Sequence, residues 1–169
     1  MDATDLLLTA FDNVEEAVRG ALDGIDPELL TARVDPEANT IAWLVWHLTR
    51  VQDDHVSEVA GVEQAYTANG WADRFALPFD AGAIGYGFSS EDVARTHITD
   101  PQLLVDHHAD VHARTAEFVR GLSPADLDRV VDERWDPPVT LGVRLVSVIT
   151  DDLQHAGQAA LLRGSLERR

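Results

Sequence analysis

Two side chains that could hold a metal ion lie four residues apart near the end of the chain, Asp151 and His155. Residues i and i+4 lie on one face of an α-helix, so both side chains can point at a single atom. The surrounding segment, residues 140–158, is otherwise mostly apolar and repeats its large aliphatic residues at helical spacing. Because burying an unpaired charge is costly, the carboxylate and the imidazole are predicted to have a partner there.

His47 is the first candidate for a third ligand. It lies in an apolar segment, residues 41–48, and two imidazoles with one carboxylate would form an open metal site. His55 lies eight residues further on and falls closer to the centre of the apolar stripe on a helical wheel. Helical period alone therefore slightly favours His55 over His47.

A rival cluster of histidines lies in a later segment. It consists of His107, His108 and His112. The i,i+4 spacing of His108 and His112 is also that of paired metal ligands on a helix. Spacing alone does not decide between this cluster and the pair at Asp151 and His155, so both stay open at this point.

Four long amphipathic helices are predicted to position these residues. The first runs from about Ala3 to Leu22, and the second begins near Asn39 or Thr40 and ends before Gly61. The third begins at Asp100-Pro101 and continues to Leu122. The fourth follows Asp136-Pro137-Pro138 and begins near Thr140.

Residues 123–127 are predicted to form a short capped turn and residues 129–133 an extended segment. With no convincing series of strands, the sequence predicts an all-α four-helix bundle in one domain, residues 1–169.

The connection between the second and third helices, residues 61–99, is unusually long for a bundle. It is rich in glycine and carries five aromatic residues: Trp71, Phe75, Phe79, Tyr86 and Phe88. Residues 89–92 could begin a short helix. The segment is expected either to be a packed crossover that covers one flank of the bundle or to be a lid that walls a substrate pocket with aromatic faces. The two roles are compatible.

Composition restricts the partners of the chain. Its 30 acidic and 13 basic residues give a formal net charge of −17, which repels phosphate backbones and anionic lipids. Neither nucleic acid nor a membrane surface is therefore an expected partner. There is no cysteine, so no internal thiol nucleophile or thiolate ligand is available. The N-terminus lacks the basic start of a signal peptide, and a cytoplasmic protein is expected.

Two short motifs resemble those of a known superfamily. Trp46-His47-Leu48 and Asp151-x-x-x-His155-Ala-Gly157-Gln158 are similar to the motifs of the DinB-like metal-binding four-helix bundles. The chain is most similar to the branch that contains mycothiol S-transferases and the N-terminal domain of mycothiol-dependent maleylpyruvate isomerases. The similarity runs nearly from end to end and includes the long connection between helices two and three.

The resemblance implies a divalent metal ion, zinc or nickel, bound by His47, Asp151 and His155. It argues against His55 and against the histidines of the third helix as primary ligands. The chain departs from the superfamily at Asp151, where many members have His and the thiol-transferase branch often has Glu. Asp152 is therefore kept as an alternative ligand, or as a partner that orients a ligand histidine.

The resemblance also implies a function. It predicts a metal-dependent transferase that activates a low-molecular-weight thiol, mycothiol, for attack on an electrophilic small molecule, as in detoxification. The absence of cysteine requires that the sulfur come from a cosubstrate. A homodimer is common in the superfamily. A metal-dependent hydrolase and a non-catalytic metal-binding bundle with a role in stress response are the alternatives.

Overall fold

Seven helices carry most of the chain in the structure, a computed structural model that describes residues 1–169. They are α1 (Ala3–Leu22), α2 (Ile41–Ala60), α3 (Ala65–Ala68), α4 (Trp71–Phe75), α5 (Ser90–Arg95), α6 (Pro101–Arg120) and α7 (Leu141–Leu166). The four long helices pack with α2 against α6 and α7, and with α1 against α6 and α7. The predicted all-α four-helix bundle is confirmed. None of the helices is both long enough and apolar enough to cross a lipid bilayer.

The ends of the long helices follow local capping chemistry. Thr40 is the N-cap of α2, where its hydroxyl accepts the backbone N–H of Trp43, and Gly61 ends the helix in a left-handed conformation. Asp100 caps α6, with Pro101 in the first turn. Because these signals are local, the predicted starts of the helices agree with the structure. The third long helix ends at residue 120, two residues before its predicted end.

The second helix is the most deeply buried part of the bundle. Every residue from 41 to 53 is buried, including polar ones such as His47, Arg50 and Asp53. This helix is covered by α6, by α7 and by the crossover, so it has no solvated face along these turns. A helical wheel assumes one buried face, which explains why it ranked His55 above His47. His55 is in fact only half-buried.

The long connection is a packed crossover. Two of its three short helices, α3 and α4, place Tyr66, Trp71 and Phe75 in the hydrophobic core. The indole N–H of Trp71 donates to Asp110 on α6 at 2.6 Å. The short helix predicted near residue 89 is confirmed as α5, whereas α3 and α4 were not predicted.

A short antiparallel hairpin precedes the last helix. Its strands are β1 (Val130–Asp132) and β2 (Val139–Thr140), and the extended segment predicted at residues 129–133 is thereby confirmed. Asp132 joins this hairpin to α7. Its carboxylate accepts hydrogen bonds from the guanidinium of Arg134 at 2.8 and 2.9 Å and from Arg144 at 3.2 Å. The turn predicted at residues 123–127 is a 3-10 helix, Pro124–Asp128, and a second one, Pro27–Leu30, follows α1.

Replacing Asp132 with Asn is expected to destabilise the protein in a pH-dependent way. The hydrogen bonds from Arg134 and the nearby guanidinium charges hold the pKa of Asp132 below its ordinary value. Stability from a carboxylate whose folded pKa is lowered is present above the unfolded pKa of about 4 and is lost as pH falls towards the folded pKa. Urea unfolding of D132N should therefore show a lower free energy of unfolding than wild type at pH 7, and a smaller difference at about pH 3.

The control for this prediction is E37Q, which removes an exposed carboxylate in the loop before α2. It is expected to unfold like wild type at both pH values. An equal loss of stability in D132N at both pH values would contradict a role for the ionised carboxylate.

Candidate metal centre

The structure contains one group of three side chains that could share a metal ion, and it consists of His47, Asp151 and His155. One potential ligand atom from each lies within 4.8 Å of the other two. The packing of α2 against α7 brings His47 to the other two residues, which lie one turn apart on α7. The three ligands implied by the resemblance thus lie together, and metal binding by them stays a prediction.

A hydrogen bond fixes the ring of each histidine at Nδ1. The Nδ1–H of His47 donates to the backbone carbonyl of Ile84, and that of His155 donates to the Oε1 of Gln158 at 2.9 Å. Because these oxygens can only accept, Nδ1 carries the proton in both rings and Nε2 keeps its lone pair. The Nε2 of His155 lies 3.7 Å from the Oδ1 of Asp151. Metal-ligating histidines commonly donate their other ring N–H to an acceptor in this way.

The environment of the Asp151 carboxylate shows whether these residues fit a cation. Its Oδ2 is buried and makes no hydrogen bond. A buried oxygen of a carboxylate without a partner is energetically unfavourable, and a cation between the three side chains would satisfy it. Two imidazoles and a carboxylate are also a common ligand set for catalytic zinc. The residues therefore fit a divalent metal ion.

Trp43 forms one wall of the centre. Its ring stacks on that of His47, with centroids 4.5 Å apart and planes 15° from parallel, and its edge faces His155 at 6.1 Å. Burial lowers the pKa of His47, and the nearby His155 lowers it further. A neutral imidazole is the form that binds metal. Trp43 was not predicted as part of the site, although its position one turn before His47 is a usable signal.

The crossover approaches the centre through Gly85. This residue has φ +90°, and a Cβ atom built there would lie 2.8 Å from the Nδ1 of His47 and 3.1 Å from the ring of Trp46. Glycine is therefore needed here both for its backbone conformation and for the close approach that lets Ile84 accept the hydrogen bond from His47. The sequence shows only a glycine-rich stretch, so this role was not predicted.

A cavity of about 220 Å³ opens beside two of the three candidate ligands. His47 and Asp151 line it, together with Tyr86 from the crossover and Ser147 from α7. The side chain of Tyr86 is 88% exposed, unlike the buried aromatic residues of α4. The crossover therefore covers the bundle with one part and borders the cavity with another.

Two alternatives on the same helices, His55 and Asp152, lie outside the group of candidate ligands. The Nδ1 of His55 lies 2.9 Å from Arg144, and because a guanidinium can only donate, this nitrogen accepts. The structure groups His47, and not the His55 that the helical wheel slightly favoured, with Asp151 and His155. Asp152 is fully buried with no hydrogen bond to its carboxylate, and burial raises its pKa well above the ordinary value. The structure favours Asp151 over Asp152 as the ligand.

The histidines of α6 do not form a rival site. His107 is buried among aromatic rings, whereas His108 is fully buried and its Nδ1 lies 3.1 Å from the hydroxyl of Thr49. Burial lowers the pKa of His108 to about 3. The Nε2 of His112 instead faces Asp12 and Glu15 on α1, at 3.1 and 3.5 Å. The three rings therefore have separate environments and share no ligand position.

Residues 6–168 match the family model described as Mycothiol-S-transferase. The chain belongs to the mycothiol-S-transferase family. A solved structure, described as a conserved protein of locus from Enterococcus faecalis, is 29% identical, and the alignment covers 96% of each chain with a TM-score of 0.90. No curated protein matches the chain. The family assignment confirms the resemblance found in the motifs, and the solved structure has the same fold.

Replacing His155 with Ala is expected to abolish stoichiometric binding of zinc or nickel, because the variant loses one of the three candidate ligands. His112→Ala is the matched control, since it removes a histidine from α6 and should leave binding nearly intact. Metal content by mass spectrometry and titration calorimetry measure both. Loss of the ion from H112A with retention in H155A would move the site to α6.

Replacing Gly85 with Ala is expected to weaken metal binding roughly 10- to 100-fold, the usual cost of disturbing a group that orients a ligand. The added methyl group would displace either Ile84 or the ring of His47. Gly87→Ala is the matched control, because it has a similar φ of +72° but nothing within 4 Å of the added atom. Equal weakening in the two variants would show that backbone strain, and not the contact with His47, is responsible.

Proposed function

We propose that the protein is a metal-dependent transferase that activates the thiol of mycothiol for attack on an electrophilic small molecule. The observation that carries this proposal is the group of two imidazoles and one carboxylate beside an open cavity. Membership of the mycothiol-S-transferase family supports it. The absence of cysteine supports it too, because the nucleophilic sulfur must then come from a cosubstrate.

His47, Asp151 and His155 would hold the ion, which we propose to be zinc or nickel because imidazole suits both. Three protein ligands leave at least one coordination position open. A divalent ion held there would supply Lewis-acid chemistry: it would lower the pKa of a thiol from its ordinary value of about 8.5 and so make the thiolate available at neutral pH.

The residues around the ligands prepare the site for this chemistry. The Nδ1 protons held by Ile84 and Gln158 keep both Nε2 atoms free and both rings fixed in orientation. Trp43 excludes water from one side by stacking on His47. Tyr86 borders the cavity from the crossover, where it can cover a bound substrate.

The size and lining of the cavity support a proposal for the class of electrophile. A volume of about 220 Å³ is below the range of roughly 300–1,000 Å³ that is typical for drug-sized ligands. Val51 and Val148 give the cavity apolar walls, whereas Ser147 supplies a hydroxyl. Half of the residues that line the cavity are polar, so we propose a small electrophile with both apolar and polar groups.

A transfer assay with monochlorobimane tests the proposal. The sulfur of mycothiol forms a bond to carbon while the carbon–chlorine bond breaks, chloride leaves, and the thiol proton passes to solvent. Fluorescence of the thioether should rise only when metal-loaded protein and mycothiol are both present, and a chelator should abolish the rise. H155A should be inactive and H112A active.

The same assay separates the transferase from a hydrolase. Loss of chloride from the substrate at an undiminished rate without any thiol would identify water as the nucleophile and contradict the proposal. Metal-loaded protein that transfers no thiol and hydrolyses nothing would favour a binding role.

A further inference from the structure

A second cavity, of about 560 Å³, adjoins the one at the metal centre, and His55 lines both. On α2, His55 lies eight residues after His47, which is about 12 Å along the helix axis. On α7, Arg144 lines the second cavity seven residues before Asp151, on the same face of the helix. The two cavities therefore meet at His55 along α2 and α7, and together they are called the groove, with the candidate metal ligands at one end.

Charged side chains that are linked by hydrogen bonds and ion pairs form one side of this second cavity, which is called its floor. Arg144, which is 8% exposed, binds His55 at 2.9 Å, Glu58 at 3.2 Å and Asp132 at 3.2 Å. Arg134 also binds Asp132. Carboxylates and guanidinium groups alternate, so an anion or a cation would meet groups of its own sign. A neutral ligand with many hydroxyl groups, each a donor and an acceptor, suits such a floor.

An exposed tryptophan stands beside this floor. The side chain of Trp135, which lines the cavity, is 67% exposed, whereas Trp43, Trp46 and Trp71 are at most 7% exposed. An indole combines a large rigid apolar face with low conformational entropy, which makes it an effective binding surface. The C–H face of a saturated sugar ring can pack on it while the ring hydroxyls bond to the polar floor.

We propose that this cavity binds the sugar–cyclitol part of the thiol cosubstrate. The inference rests on the proposed function, since mycothiol joins its cysteine thiol to a glucosamine–inositol unit. With that unit held beside Trp135 and Arg144, the thiol extends along the groove past His55 to the metal centre. The cavity volume lies within the range of roughly 300–1,000 Å³ found for small-molecule sites.

The test uses a probe without a thiol, glucosaminyl-inositol, and the full chain loaded with zinc. Titration calorimetry should show binding by wild type, and Trp135→Ala should raise the Kd roughly five- to tenfold, as expected for the loss of one aromatic contact. Leu161→Ala is the matched control, because it removes a 69% exposed apolar side chain of α7 that lines neither cavity. In wild type, the bound probe should also protect tryptophan fluorescence from iodide, because Trp135 is the one largely exposed indole.

The outcomes separate this inference from the proposed function. No binding of the probe by wild type, or the same Kd in wild type and W135A, overturns the assignment of the cavity, even if thiol transfer occurs. Binding that W135A weakens and L161A does not supports the assignment, even if monochlorobimane is never converted. In that case the transferase proposal alone fails.

Discussion

The burial of polar side chains on α2 is the constraint on which the rest of the structure depends. Arg50 is fully buried and Asp53 nearly so, and such groups are too costly to leave without partners. The crossover supplies those partners: Arg50 donates to the carbonyls of Ala81 and Ala83, and Asp53 accepts the backbone N–H groups of residues 65 and 66. His47 donates to Ile84 in the same way. Three polar residues of one helix thereby fix the path of a long connection that would otherwise have few constraints.

The geometry of the candidate metal centre therefore depends on how the crossover folds. The ring of His47 is oriented from outside its own helix, by a carbonyl that reaches it only because Gly85 has no side chain. The ring of His155 is oriented from within its helix, by Gln158 one turn later. One ligand therefore depends on long-range packing and the other on local spacing. The sequence can show the second kind of support, because i,i+3 neighbours on a helix are read directly from the chain.

The same distinction explains how much could be predicted. The four long helices and the starts of α2 and α6 follow from local periodicity and capping, and the sequence sufficed for them. The short helices α3 and α4 have no side-chain cap and depend on packing against the bundle, so no local signal indicated them. The choice of His47 over His55 needed the superfamily motif, because a helix buried on all sides has no single apolar stripe. The carbonyl of Ile84 could not be found from residue types at all, since every residue has one.

The hydrogen-bond network around Arg144 requires the burial of charged groups, and a gain in folding stability does not by itself explain why they are buried. Arg144 and Asp132 are both more than nine-tenths buried, and buried ion pairs are often no more stabilising than apolar side chains of similar volume. Here the pair joins the hairpin to α7, a task that aliphatic packing could also perform. What aliphatic packing cannot provide is a rigid row of donors and acceptors facing a cavity, with Trp135 held beside it by the same hairpin. Because Arg144 also fixes His55 at the junction of the two cavities, the polar network orders the groove along its length. Because aliphatic side chains could match the stability of this network, its polar groups around an open space are better explained by recognition than by folding.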